Sequence, residues 1–173
     1  MQGDIERVLF DEPAIQRCLD EIAAHISNDY RERELTVIAV LNGSFLVMAD
    51  LLRRIPIPLK LDCVSVVSYH GKAQTTGEVI FKPRKLSGPD VVDRDVLIVD
   101  DILDSGHTLG AIREKLEAAK PRSIWVCVLL SKKKQRARRV DADYVGFEIE
   151  DELWSVTVSI SWSAIAIFPA SAC

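Results

Sequence analysis

The sequence lacks paired cysteines. Its four, Cys18, Cys63, Cys127 and Cys173, lie far apart with no C-x-x-C pair, and His25, His70 and His107 form no ligand spacing with them. A zinc site and a disulfide framework are thereby excluded from the expectation, which becomes a reducing, cytoplasmic setting. The amino end, Met-Gln-Gly-Asp-Ile-Glu, carries acid and no apolar run of the kind a signal peptide needs. An excess of positive charge is also missing. The formal net charge of -4 argues against a general polyanion binder, with the run 132–139 as a local basic exception. Charge disappears altogether from 153–173, a stretch long enough to raise the question of a membrane helix. Its pattern argues otherwise. Trp154, Val156, Val158, Ile160, Trp162 and Ala164 alternate with Ser155, Thr157, Ser159, Ser161 and Ser163, a period of two that fits a half-buried strand.

What the chain does have suits one compact α/β domain over 1–173, since 173 residues at 48% hydrophobic content can bury a substantial core. Ile15, Cys18, Leu19, Ile22, Ala23 and Ile26 recur at helical spacing within a helix expected over 12–30. Further helices are expected over 45–54 and 109–119. Strands are expected over 35–41, 59–69, 78–82, 96–99, 123–130 and 144–149. Between two of these strands, 70–77 is polar and glycine-containing, either a hairpin or a lid. Leu41-Asn42-Gly43 closes the 35–41 strand; taken alone it reads as a plain turn or as a loop whose amides face an anion.

One stretch organises the rest: Val96-Leu-Ile-Val-Asp-Asp-Ile-Leu-Asp-Ser-Gly-His-Thr-Leu109. An aliphatic run reads as a strand buried on both faces, and then the chemistry changes. Asp100, Asp101 and Asp104 cluster near the strand's carboxyl end, and Ser105-Gly106-His107-Thr108 leads into a helix. Free amides and the helix dipole make such a bend a phosphate cradle. Three carboxylates beside it would repel a bare phosphate. A ligand carrying phosphate, ribose hydroxyls and a divalent metal accounts for all of these groups together.

This segment resembles the phosphoribosyl-pyrophosphate (PRPP) motif of type I phosphoribosyltransferases, and its flanks are similar to those of the hypoxanthine-guanine branch, over about 8–152. The resemblance implies a mostly parallel sheet flanked by helices, with a small hood from about 1–12 and 150–173. It also implies a cytoplasmic enzyme, commonly a homodimer or homotetramer, that transfers 5-phosphoribose from PRPP to hypoxanthine or guanine, giving IMP or GMP. Carried over residue by residue, Asp100 and Asp101 would hold the ribose hydroxyls and Mg²⁺, and Ser105, Gly106, His107 and Thr108 the 5′-phosphate. Asp104 would be the general base. Leu41, Asn42 and Gly43 would hold pyrophosphate, through a non-proline cis peptide between Leu41 and Asn42. Ser68 and Tyr69 would begin a lid. Lys132 falls where the family places a lysine that donates to the purine O6, whereas Lys133, Lys134, Arg136, Arg138 and Arg139 have no family role and read as surface.

The resemblance breaks after Glu152. Leu153 stands where a ring stacks on the purine and Trp154 where a main-chain carbonyl meets the base, while Ile160 and Ala166 replace an aspartate and an arginine. Yet codons compatible with 153–173 exist for which one restored G after the first reads Leu-Val-Val-Gly-Tyr-Gly-Leu-Asp-Phe-Met-Glu-Arg-Tyr-Arg-Asn-Leu-Pro-Gly-Ile-Gly-Val, an ending similar to the family's. A one-base frameshift is therefore the expected origin of the tail. Two rival readings stand beside the enzyme: a catalytically impaired homologue, and an RNA-binding, nucleotide-sensing regulator on the same fold using the 132–139 run.

Overall fold

A computed structural model describes residues 7–67, 80–83, 91–134, 137–150, 155–158 and 164–168. Its main sheet has six strands in the order β4-β3-β2-β5-β6-β7: β2 (Leu35–Leu41), β3 (Leu59–Val67), β4 (Ile80–Pro83), β5 (Asp95–Leu103), β6 (Ser123–Lys133) and β7 (Tyr144–Glu150). Five run parallel; β4 pairs antiparallel with β3 at one edge. The aliphatic runs fall on the central strands because both faces are covered. On one side, helices α1 (Glu12–Asp29) and α2 (Phe45–Leu52) pack on Leu35, Val37, Leu97 and Val99. On the other, α3 (His107–Glu117) contributes Leu109, Ile112 and Leu116 against Ile38, Val96, Ile98, Val126 and Val128.

A separate three-stranded antiparallel sheet joins the two ends of the chain, with β1 (Arg7–Asp11) and β8 (Ser155–Val158) both paired to β9 (Ala164–Phe168). The hood expected from the termini is thus present as backbone pairing. Phe10 of β1 stacks on Phe147 of β7, with ring centroids 3.8 Å apart, and ties this small sheet to the large one. Among the described residues the uncharged tail supplies two short strands.

Several boundaries differ from expectation for local reasons. Helix α2 stops at Leu52 because the next bonds, Arg54 N to Leu51 O and Ile55 N to Leu52 O, span three residues and tighten the last turn. Helix α3 starts two residues early, at His107, because Gly106 with φ +79° acts as its N-cap. Strand β6 runs three residues further, to Lys133, where Ser131, Lys132 and Lys133 pair with Glu148, Ile149 and Glu150. Lys132 therefore sits inside a strand rather than after one. Cys18, Cys63 and Cys127 are free. Among the described residues no helix is long and apolar enough to cross a membrane.

Candidate active site

Parallel pairing sets the site. In β2 and β5 the register runs from Leu35 opposite Asp95 to Ala39 opposite Val99, so the chain leaves both strands at the same rim of the sheet. Open parallel sheets bind ligands at that carboxyl rim. A cleft of about 360 Å³ opens there, lined by Leu41 and Gly43 from the β2–α2 loop, Asp100, Asp101 and Asp104 from β5 and its end, and Ser105, Gly106 and Thr108 from the turn into α3.

The β2–α2 loop is tied down by Ser44, which is fully buried and donates from its hydroxyl to Val40 O. Ser44 N also donates to Val40 O at 3.3 Å, and Phe45 N to Asn42 O at 3.2 Å. Leu41 and Asn42 are joined by a cis peptide, as the family resemblance implied. Gly43 faces Asp101: a Cβ there would lie 2.5 Å from Asp101 Oδ2. Asn42 is exposed and does not line the cleft.

Strict alternation along β5 would send Asp100 and Asp101 to opposite faces. It slips at these two residues. Leu97 and Val99 face the α1–α2 side, yet Ile102 packs there too, and Leu103 joins the α3 side with Ile98. The two carboxylates therefore meet. Asp100 Oδ1 accepts from Asp101 N at 2.9 Å. Burial, then the charge of Asp101 beside it, raises the Asp100 carboxyl well above the usual carboxylate range.

The bend that follows leaves its amides open. No described residue accepts a hydrogen bond from the amides of Gly106, His107 or Thr108, and these amides open helix α3. The His107 side chain is exposed and outside the cleft lining, so it is the backbone of His107 that serves the bend. The segment after β6 braces the bend from behind. Arg138 N donates to Ser105 O at 3.2 Å, its carbonyl covers Gly106, its stem covers Gly110, and its guanidinium pairs with Glu114.

Asp104 stands between the bend and β6. Lys132 Nζ lies 3.6 Å from Asp104 Oδ1, and Lys134 Nζ contacts the same oxygen. The reading of Lys134 and Arg138 as plain surface charges is thus corrected: tertiary contacts turn both onto the site's own segments. A basic run gives no sign of this, because each lysine or arginine in it has the same local context. Ser68, Tyr69, Leu153, Trp154 and Arg136 lie outside the described residues. Ser44, Lys134 and Arg138 are the supporting residues that sequence reasoning did not single out; for Ser44, its place directly before an apolar helix was the available signal.

Comparison with known proteins agrees with this geometry. Residues 8–161 match the family described as Phosphoribosyl transferase domain. The chain is 41% identical over 152 residues to a hypoxanthine-guanine phosphoribosyltransferase of Staphylococcus epidermidis, covering 88% of this chain and 84% of that one. It is 39% identical over 153 residues to the corresponding protein of Staphylococcus aureus, with the same coverage, 88% and 84%. A crystal structure of a hypoxanthine phosphoribosyltransferase from Staphylococcus aureus superposes with a TM-score of 0.81 at 38% identity, covering 89% of this chain and 83% of that one. One from Bacillus anthracis, a hypoxanthine-guanine phosphoribosyltransferase, does so with a TM-score of 0.81 at 31% identity, covering 96% and 99%. With a parallel sheet, a cis-linked loop and an acidic strand end meeting at one rim, and with these relatives covering most of its length, the chain belongs to the hypoxanthine-guanine phosphoribosyltransferases.

Proposed function

We propose that this chain carries out purine salvage, transferring 5-phosphoribose from PRPP to N9 of hypoxanthine or guanine and releasing IMP or GMP and pyrophosphate. The observation that carries the reading is the meeting in one cleft of Leu41 and Gly43, the Asp100–Asp101 pair and the bend at Gly106 and Thr108, whose amides are open. The bond from ribose C1 to the pyrophosphate oxygen breaks, the bond from C1 to N9 forms, and the purine gives up one proton. Positive charge develops at C1 as pyrophosphate leaves. The bend from Ser105 to Thr108 grips the 5′-phosphate, Asp100 and Asp101 hold the ribose hydroxyls, and the 41–43 loop receives the pyrophosphate. Asp104 accepts the proton from purine N7. Lys132, on the strand next to Asp104, donates to the 6-oxo group and so rejects adenine, whose amino group would set donor against donor.

The donor set fits Mg²⁺. Among the described residues no group of three or more His, Cys, Asp or Glu is arranged to hold a metal by itself. A close pair of hard carboxylates, whose mutual repulsion a cation would relieve, suits a magnesium ion completed by substrate oxygens. Asp100 and Asp101 would hold it. The ion supplies charge neutralisation on the pyrophosphate.

One observation bears on the RNA-binding alternative. Lys132 and Lys134 turn onto Asp104, Lys133 onto Glu148 and Glu150, and Arg138 onto Glu114, so these cations are compensated within the fold rather than presented as a patch. We read the enzyme as cytoplasmic, in keeping with its free cysteines, and as a homodimer or homotetramer by analogy with the family. A spectrophotometric PRPP-dependent assay with hypoxanthine, guanine and xanthine tests the function. Turnover with a 6-oxopurine and none with adenine is expected. Salt-sensitive RNA binding without purine turnover would overturn it.

A further inference from the structure

Lys134 is one of the cations in the basic run that neither the motif nor the proposed mechanism uses, and it is the one that reaches Asp104 beside Lys132. Ion-pair partners sort that run. Lys132 and Lys134 both turn to Asp104, while Lys133 pairs instead with Glu148 at 3.6 Å and Glu150 at 3.4 Å. Strand β6 ends at Lys133, and Lys134 N turns back to Lys132 O at 3.1 Å. Both ammonium groups thereby reach the same oxygen of Asp104. That oxygen, Oδ1, is buried and takes no hydrogen bond among the described residues, so the two ammonium groups are what offsets its charge, although the Asp104 side chain as a whole is 46% exposed. Its exposure therefore comes from the rest of the side chain.

Two cations on one buried oxygen pose a question once Lys132 is needed elsewhere. A purine 6-oxo group that takes Lys132 would strip Asp104 Oδ1 of a partner, and a buried carboxylate oxygen left unpaired is costly. We propose that Lys134 is a positioning residue that keeps Asp104 Oδ1 paired while Lys132 transfers to the 6-oxo group of the base. The inference rests on the purine-salvage reading above. Lys134 touches no substrate in this scheme. It acts by letting Lys132 go.

The scheme separates base recognition from phosphate recognition, and the test uses that separation. Calorimetric binding of IMP and of ribose 5-phosphate is measured on the wild-type chain, on Lys134→Met and on Lys134→Arg, with turnover followed against purine and against PRPP. Lys134→Met is expected to bind IMP roughly fivefold more weakly, a modest loss because the Asp104 side chain is half exposed. Ribose 5-phosphate affinity should be unchanged, KM for the purine should rise with KM for PRPP unmoved, and Lys134→Arg should restore both. Wild-type IMP affinity retained in Lys134→Met would overturn the proposal. So would an equal loss of both ligands, or failure of arginine to rescue. If wild-type protein binds IMP no better than ribose 5-phosphate, the inference falls while the phosphate site stands; if it binds neither, the salvage reading falls as well.

Discussion

The position a Cβ would occupy on Gly43 lies 2.5 Å from Asp101 Oδ2 and 2.8 Å from its Cγ. A loop from one strand and a carboxylate from its neighbour therefore share a space that only a residue without a side chain leaves open. In Gly43→Ala the carboxylate must swing away, which is easy for the fold because Gly43 is exposed and Asp101 is the flexible partner. The geometry of the pair with Asp100 is what would be lost. Thermal stability should stay within about 0.5 kcal/mol of wild type, as for most exposed positions. PRPP affinity, measured by calorimetry with magnesium, should fall roughly tenfold or more, since a misplacement of about 1 Å at a reacting centre costs that much. Unchanged PRPP affinity would show that the loop and Asp101 do not act on one ligand.

Gly106 presents the opposite balance. Its φ is +79°, and a Cβ there would meet the Arg138 carbonyl, a backbone atom that cannot step aside. Gly106→Ala should lose about 1–3 kcal/mol of stability, from the left-handed conformation and the displaced strap together. Because the same shift reorients the amides that open α3, ribose 5-phosphate binding should be lost as well. A denaturant melt and a phosphate-ligand titration check the two effects separately. A variant as stable as wild type would mean that the strap yields freely and does not brace the bend.

Much of this could be read from residues alone, and the limits have physical causes. Strand β2 is bounded in the structure at Leu35 and Leu41, as its apolar run indicated, because a strand covered on both faces carries its burial in every residue. Asp100, Asp101, Ser105, Gly106 and Thr108 line one cleft, as their clustering suggested. What the sequence hid was the slip in alternation at Asp100 and Asp101, which depends on where the surrounding side chains pack. It also hid the last three residues of β6. Ser131, Lys132 and Lys133 show no apolar period and are held in the strand by β7. The roles of Lys134 and Arg138 were illegible for a related reason: their partners, Asp104, Ser105 and Gly110, lie at least 28 positions away and come within reach only in the folded chain.

Asp100 makes stability depend on pH in a stated direction. Burial, then Asp101, raises its folded pKa well above the ordinary value of 3.8. A carboxyl that is harder to ionise when folded favours the folded state while protonated. That contribution is complete below the unfolded value and is lost as pH rises through the folded one. Asp100→Asn removes the penalty and keeps the oxygen that accepts from Asp101 N. In metal-free buffer the variant should be more stable than wild type by about 1–3 kcal/mol at pH 8, with the difference shrinking as pH falls and vanishing near pH 4. PRPP binding should be impaired throughout. A difference in stability that stayed constant from pH 4 to pH 8 would contradict the raised pKa.

Strands β8 and β9 complete a sheet with β1, and backbone pairing of this kind places few demands on side-chain identity. An ending that had lost its family side chains could still close the hood. The match to the phosphoribosyl transferase domain stops at residue 161, before β9 begins. If 153–173 arose by a one-base shift of frame, the groups it lacks are the aspartate and the arginine that Ile160 and Ala166 replace and the main-chain segment that meets the base where Trp154 now stands; Leu153 is the same in both endings. The phosphate bend, the 100–101 pair and the 41–43 loop all lie upstream and are untouched. We therefore expect ribose 5-phosphate affinity to be the same for this chain and for a version carrying the restored ending. IMP should bind the restored version up to roughly tenfold more tightly, about 1.4 kcal/mol for one main-chain hydrogen bond to the base regained where Trp154 now stands, and turnover with hypoxanthine should rise with it. Equal IMP affinities would mean that the present tail already holds the base, and reading the gene around the Leu153 codon would then be expected to show codons that do not restore the family ending in the shifted frame.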